Sequence, residues 1–160
     1  MPKYLTAQIC LNGHMVTSSI ELNPELREKF CSRCGAMTIT HCPSCGAPLR
    51  GELYDDEIAI YGFIPSIDAY CTNCGSAFPW TKSAIENAIL LIQEEEELSE
   101  QLKTSVIQSL PDIVAETPKT NVAVVRMKKV LASAGKFTTE GLRQFILDFG
   151  CELAKKLIGL

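Results

Sequence analysis

Two Cys-x-x-Cys-Gly turns stand almost back to back in this chain, Cys31-Ser32-Arg33-Cys34-Gly35 and Cys42-Pro43-Ser44-Cys45-Gly46, with seven residues between Cys34 and Cys42. In a turn of this kind both sulfurs face one point, and the glycine lets backbone N–H groups aim at them. Each turn is half of a tetrahedral metal site and needs a second pair of donors from elsewhere. A third copy, Cys71-Thr72-Asn73-Cys74-Gly75, lies further on. Three such turns are far more specific than a lone Cys-x-x-Cys, and pairing them constrains the architecture of the first half of the chain.

Cys10 and His14 flank the turn pair Asn12-Gly13 and lie close enough in sequence to ligate one ion together. Sixteen residues separate His14 from Cys31. The first site is therefore read as Cys10, His14, Cys31 and Cys34. The second joins Cys42 and Cys45 to Cys71 and Cys74, with twenty-five residues between Cys45 and Cys71. A rival pairing puts Cys31, Cys34, Cys42 and Cys45 on one ion and leaves Cys10, His14, Cys71 and Cys74 for the other; the short spacer permits it. His41 is read as an exposed loop residue or a hydrogen-bond donor to a ligand, because the other groups already satisfy two tetrahedral ions. The expected cofactor is zinc, two ions per chain. Iron at the all-cysteine site is the alternative, since a thiolate tetrahedron accepts both metals, but no hydrophobic redox shell is visible. With four protein ligands neither site keeps a position for water or substrate. Such a metal supplies folding free energy and no chemistry.

Around these donors the coarse reading is α+β: a small N-terminal double zinc ribbon over residues 1–81, then a helical region over 82–160. Tyr4–Ile9 suits a short strand leading to Cys10, Val16-Thr17 a return strand, and Asn23–Leu26 a loop or short helical turn. Gly51–Tyr54 and Ile58–Tyr61 are two further strand candidates around an acidic turn at Asp55-Asp56. Trp80, the only tryptophan, is expected to pack against the ribbon or the first helix. Beyond it Thr81 or Ser83 caps a helix, with Ser83 and Glu86 in capping-box spacing. Glu94–Glu97 reads as a solvated helix face, and the stripe Leu98, Leu102, Val106, Leu110 runs to Pro111. Thr117-Pro118 or Thr120 opens the next helix, which Gly135 is placed to end. The last starts at Thr138 or Thr139 and carries two apolar stripes, one from Leu142 to Leu157 and one of Leu147, Cys151, Ala154 and Ile158. A helix apolar on two sides is sandwiched in a bundle or meets another chain. Cys151 is read as a small buried apolar residue.

The ordered motifs Cys10-Leu11-Asn12-Gly13-His14, Phe30-Cys31, Cys34-Gly35-Ala36, Cys42-Pro43-Ser44-Cys45-Gly46, Arg50-Gly51, Tyr70-Cys71, Cys74-Gly75 and Phe78-Pro79-Trp80-Thr81 resemble a bacterial family of unknown function, DUF2321. The resemblance covers the first half well and the helical tail loosely. It implies a bacterial, zinc-ribbon-containing protein and carries no established activity.

Charge narrows the function classes. Residues 1–81 hold five basic and eight acidic side chains, 82–119 three and eight, and 120–160 seven and three. A ribbon that grips nucleic acid presents a basic face, because phosphate contacts supply most of the affinity; this one does not. Nucleic-acid binding stays as the alternative, through the ribbon or the patch Arg126, Lys128, Lys129 and Lys136. No nucleophile motif, phosphate loop or spare histidine–carboxylate pair supports an enzyme. The first residues lack a basic region followed by an apolar run, and Ala88–Ile92 falls far short of a membrane span. A cytoplasmic location follows, where eight cysteines read as ligands rather than disulfides. The expected role is a non-enzymatic module whose last helix mediates self-association or protein docking.

Overall fold

Ala7 is wholly buried, and the chain changes sheets there. The expected single strand is two: β1 (Lys3–Thr6) and β2 (Gln8–Cys10). The computed structural model describes residues 1–58 and 65–160, and these divide into two compact units, Met1–Lys82 and Ser83–Leu160. In the first unit β2 is the centre of a three-stranded antiparallel sheet, between β3 (Met15–Thr17) and β4 (Thr38–Ile39). β1 pairs antiparallel with β5 (Arg50–Tyr54), setting Lys3 opposite Tyr54 and Tyr4 opposite Leu53. The partner of β5 is thus the start of the chain. The strand expected at Ile58–Tyr61 falls outside the described residues, except Ile58, which sits in a bend. Pro24–Leu26 forms a single 3-10 turn.

The small apolar centre of this unit is Leu5, Ala7, Ile9, Leu49, Phe78 and Trp80, alongside Cys10, Cys31, Cys42 and Cys71. Trp80 is 2% exposed. It stacks on Phe78 at 4.7 Å between ring centroids, and its indole N–H donates to the Asp68 carbonyl at 2.9 Å. It is a core residue, as its aromatic bulk beside the last cysteine turn suggested.

Helix α1 (Pro79–Glu94) begins earlier than the cap expected at Thr81 or Ser83. Proline suits a first helical position, whose N–H would have no partner in any case. Thr81 lies inside the helix and donates its hydroxyl to Ala69 O. Because α1 ends at Glu94, the run Glu94–Glu97 is not a helix face. Glu95 accepts N–H bonds from Gly135 and Glu97.

In the second unit α2 (Glu100–Val114) opens on Ser99, whose hydroxyl accepts from the Leu102 N–H. It runs through Pro111 rather than stopping there. Proline forfeits one backbone bond, but Leu110, Ile113 and Val114 on that turn are buried. Burial of that stripe outweighs the lost bond. α2 packs along α3 (Thr120–Ser133), and α5 (Glu152–Ile158) also lies on α3. α3 ends at Ser133, just before Gly135, close to where its end was expected. Gly135 is not a left-handed cap, however: its φ is −62°, and it precedes α4 (Lys136–Phe149) at the cap position.

The expected last helix is broken. Gly150 and Cys151, both extended, separate α4 from α5. The two stripes therefore do not lie on one continuous rod. Leu142, Phe145 and Ile146 are buried, and Ala154 of the second stripe is buried too, whereas Leu147 is exposed. Cys151 is half-buried and caps α5; its N–H donates to Ile113 O at 2.8 Å. The fold is α+β, short strands with two donor clusters followed by helices. Among the described residues no helix is long and apolar enough to cross a membrane.

Candidate metal centres

The three cysteine turns have one geometry. In each, the N–H of the glycine donates to the carbonyl of the first cysteine at 2.8 Å: Gly35 to Cys31, Gly46 to Cys42, Gly75 to Cys71. The first cysteine's own N–H donates, also at 2.8 Å, to Ala36, Ala47 and Ser76 respectively. The glycines have φ of +73°, +77° and +75°, a left-handed conformation that costs a residue with a Cβ roughly 1–2 kcal/mol. The sequence repeat is thus a repeat of backbone shape. It buries the first cysteine of each turn and leaves the second exposed.

The turn at Cys10 is one residue shorter. Gly13, at φ +87°, donates to Cys10 O, and the Cys10 N–H donates to His14 O, both at 2.9 Å. Trp80 packs directly over Gly13: a Cβ there would lie 3.0 Å from the Trp80 Cβ. The turn brings the His14 Nδ1, rather than its Nε2, towards the sulfurs.

The structure gathers the donors into two tetrads. Cys10, His14, Cys31 and Cys34 form one, and Cys42, Cys45, Cys71 and Cys74 the other, with donor atoms within 4.8 Å of one another. The grouping is not the rival one that joined the two adjacent turns. Zinc with Zn–S bonds of about 2.3 Å and a Zn–N bond of about 2.0 Å makes a tetrahedron with S···S edges of about 3.8 Å and S···N edges of about 3.5 Å. The observed edges are Cys10–Cys34 3.7 Å, Cys45–Cys71 3.7 Å and Cys42–Cys74 3.9 Å between sulfurs, and 3.5 and 3.6 Å from His14 Nδ1 to Cys10 and Cys31. The sulfurs are too far apart for disulfides, which need about 2.05 Å. Both tetrads fit a tetrahedral ion and could hold one.

Local electrostatics prepares Cys34 and Cys74 for ligation. The Ala36 backbone N–H, then the Asn12 carboxamide, pull Cys34 down to about 6. The Ser76 hydroxyl and backbone N–H do the same for Cys74, also to about 6. Burial alone would raise Cys42, but the N–H groups of Cys45 and Ser44 together lower it. Cys10 is raised, chiefly by burial. The Cys74 and Asn73 amides favour the Cys71 thiolate, yet burial and the neighbouring thiols leave it raised. Cys34 and Cys74 thus ionise more readily than Cys10 and Cys71, and the thiolate is the form that binds metal.

His41 is outside both tetrads. It is exposed, with Nδ1 2.8 Å from the Thr40 hydroxyl. The basic patch loses a member: Arg126 donates to Ser109 Oγ at 2.7 Å and to Ser105 O at 3.3 Å, tying α3 to α2. Sequence reasoning missed Asn12 and Asn73. Their carboxamides donate to Cys34 Sγ at 3.3 Å and Cys45 Sγ at 3.4 Å. A signal was present, since Cys-x-Asn occurs at both Cys10 and Cys71.

The model of a family described as an uncharacterized protein conserved in bacteria, DUF2321, matches residues 3–158. No curated protein and no solved structure matches the chain.

Proposed function

We propose that this chain, which belongs to the bacterial family DUF2321, is a non-enzymatic zinc protein of the cytoplasm. Residues 1–81 form a double ribbon held by two structural zinc ions. Cys10, His14, Cys31 and Cys34 ligate one; Cys42, Cys45, Cys71 and Cys74 ligate the other. The helical region 82–160 serves self-association or docking to a protein partner.

The observation that carries the metal reading is the match of the donor–donor edges to a zinc tetrahedron at both sites. Four protein donors close each site, so zinc there contributes folding free energy and needs no exchangeable water. The docking half draws on large apolar side chains left exposed on the helices: Val122 and Val125 on α3, Phe137 and Leu147 on α4. The nucleic-acid alternative is weakened by the engagement of Arg126 in packing.

Elemental analysis of the chain purified without added metal tests the first half. Two zinc ions per chain are expected; one ion, or iron in the all-cysteine site, would overturn the assignment. Light scattering on the wild type and on Leu147→Glu tests the second. A larger species that dissociates in the variant is expected, and a monomer in both removes self-association.

A further inference from the structure

The two metal sites share a feature that their ligands do not require. Asn12 sits two residues after Cys10, and its carboxamide crosses to Cys34, the second cysteine of the facing turn. Asn73 sits two residues after Cys71, and its carboxamide crosses to Cys45, again the second cysteine of the facing turn. The same residue type, at the same offset, meets the same position of the opposing half-site at 3.3 and 3.4 Å. The two sites differ in ligand set, in chain order and in the shape of one turn, so the coincidence is not a by-product of one repeated motif.

The targets are also alike. Cys34 and Cys45 are exposed, whereas the first cysteines of their turns, Cys31 and Cys42, are 5% and 4% exposed. An exposed metal-bound sulfur is where a chelator, an acid or an electrophile begins to dismantle the site. A carboxamide N–H on that sulfur withdraws charge from it and takes up one of its lone pairs, and partners of this kind commonly hold ligands in place. Cys74, the other exposed cysteine, finds its donor Ser76 within its own turn. The asparagines instead reach across from one half of a site to the other.

We propose that Asn12 and Asn73 are cross-turn clamps, one per metal site, which tie each half-site to the outward thiolate of the other, shield that thiolate from electrophiles and slow metal loss. They are positioning residues, and the proposal rests on the metal reading above. Loss of such a partner costs roughly 10–100-fold in metal affinity.

The test uses the full chain loaded with zinc, comparing wild type with Asn12→Ala, Asn73→Ala and Asn12→Asp. Zinc transfer to a chromophoric chelator gives the rate for each ion, and brief iodoacetamide treatment with mass mapping gives the rate for each cysteine. In Asn12→Ala one of the two ions is expected to leave about tenfold faster, with Cys34 alkylated early and Cys45 at its wild-type rate. Asn73→Ala should show the reverse, so each variant carries its own control. Asn12→Asp keeps the size and removes the donor, and it should lose the first ion at least as fast as the alanine variant. Wild-type rates in the variants, equal acceleration at both sites, or an aspartate variant that behaves as wild type would each overturn the clamp while leaving the metal reading intact. A wild-type chain that takes up no zinc would sink both.

Discussion

The two units of this chain solve the same stability problem by different means. Residues 1–82 bury few large apolar side chains among those described, and its strands are two to five residues long. Residues 83–160 bury Ile92, Val106, Leu110, Ile113, Met127, Val130, Leu142 and Ile146 at or near complete burial. Hydrocarbon burial at about 25 cal/mol per Å² can hold four or five packed helices. Strands this short, with so few large apolar residues between them, have much less of it to draw on. On the proposed reading, cohesion in one unit is a property of many interchangeable contacts, and in the other it is concentrated in the eight donor atoms that could hold metal.

The largest effect that would break this contrast is metal removal. Structural zinc contributes on the order of 10–16 kcal/mol of apparent binding free energy at neutral pH in small zinc modules. Stripping the ions with a strong chelator is therefore expected to unfold residues 1–82. Trp80, buried and alone of its kind, reports this as a red shift and loss of intensity in its emission. The far-UV signal of the helices should largely persist. Loss of both signals together would show that the second unit depends on the first, and an unmoved Trp80 would show that the ribbon stands without metal.

A change in the apolar core makes the converse test. Ile113 is wholly buried on α2. Replacing it with alanine should cost about 2–5 kcal/mol, visible as a lower midpoint for helix unfolding in urea. Zinc content and Trp80 emission before the transition should match the wild type. A variant that loses zinc would blur the division between the two modes of cohesion.

The same contrast explains what could be read from the sequence. Ligand spacing is a covalent record: the Cys-x-x-Cys-Gly turns, with glycines that need positive φ, specify their own backbone, so the donor clusters were legible residue by residue. Helical periodicity located much of the buried stripe, including Leu98, Val106, Leu110 and Leu142. Apart from Thr120, where α3 does begin, most element ends were not legible, because they are decided by tertiary partners. Pro111 stays inside α2 since its turn is buried, and Gly135 opens α4 because its N–H finds the Glu95 carboxylate. The break at Gly150 was hidden for a related reason: apolar residues continue on both sides, but the Cys151 N–H bonds to Ile113 across the unit instead of extending the helix. The pairing of β1 with β5 joins residues 44 to 51 positions apart, and alternation alone cannot choose a partner at that distance.

Glu95 provides the smallest and sharpest refinement, since it is a polar fixture in the unit held mainly by hydrocarbon. Its carboxylate is held below the ordinary value of 4.5, first by the Glu97 N–H, then by the Thr138 side chain and the Gly135 N–H. A carboxyl group with a depressed folded-state pKa stabilises the fold above its unfolded value, and that contribution is lost as pH falls through the folded value. Helix melting of the wild type at about pH 7 should therefore occur slightly above that of Glu95→Gln, with the gap shrinking below about pH 4.5 and closing in stronger acid. The difference between the two chains isolates Glu95 from the other carboxylates, and monitoring the helical signal separates it from acid release of metal by the ribbon. A gap that stays constant with pH would mean that Glu95 acts through shape alone. A gap that closes would show that the start of α4, which the sequence placed two or three residues later, is fixed by a charge supplied from the end of α1.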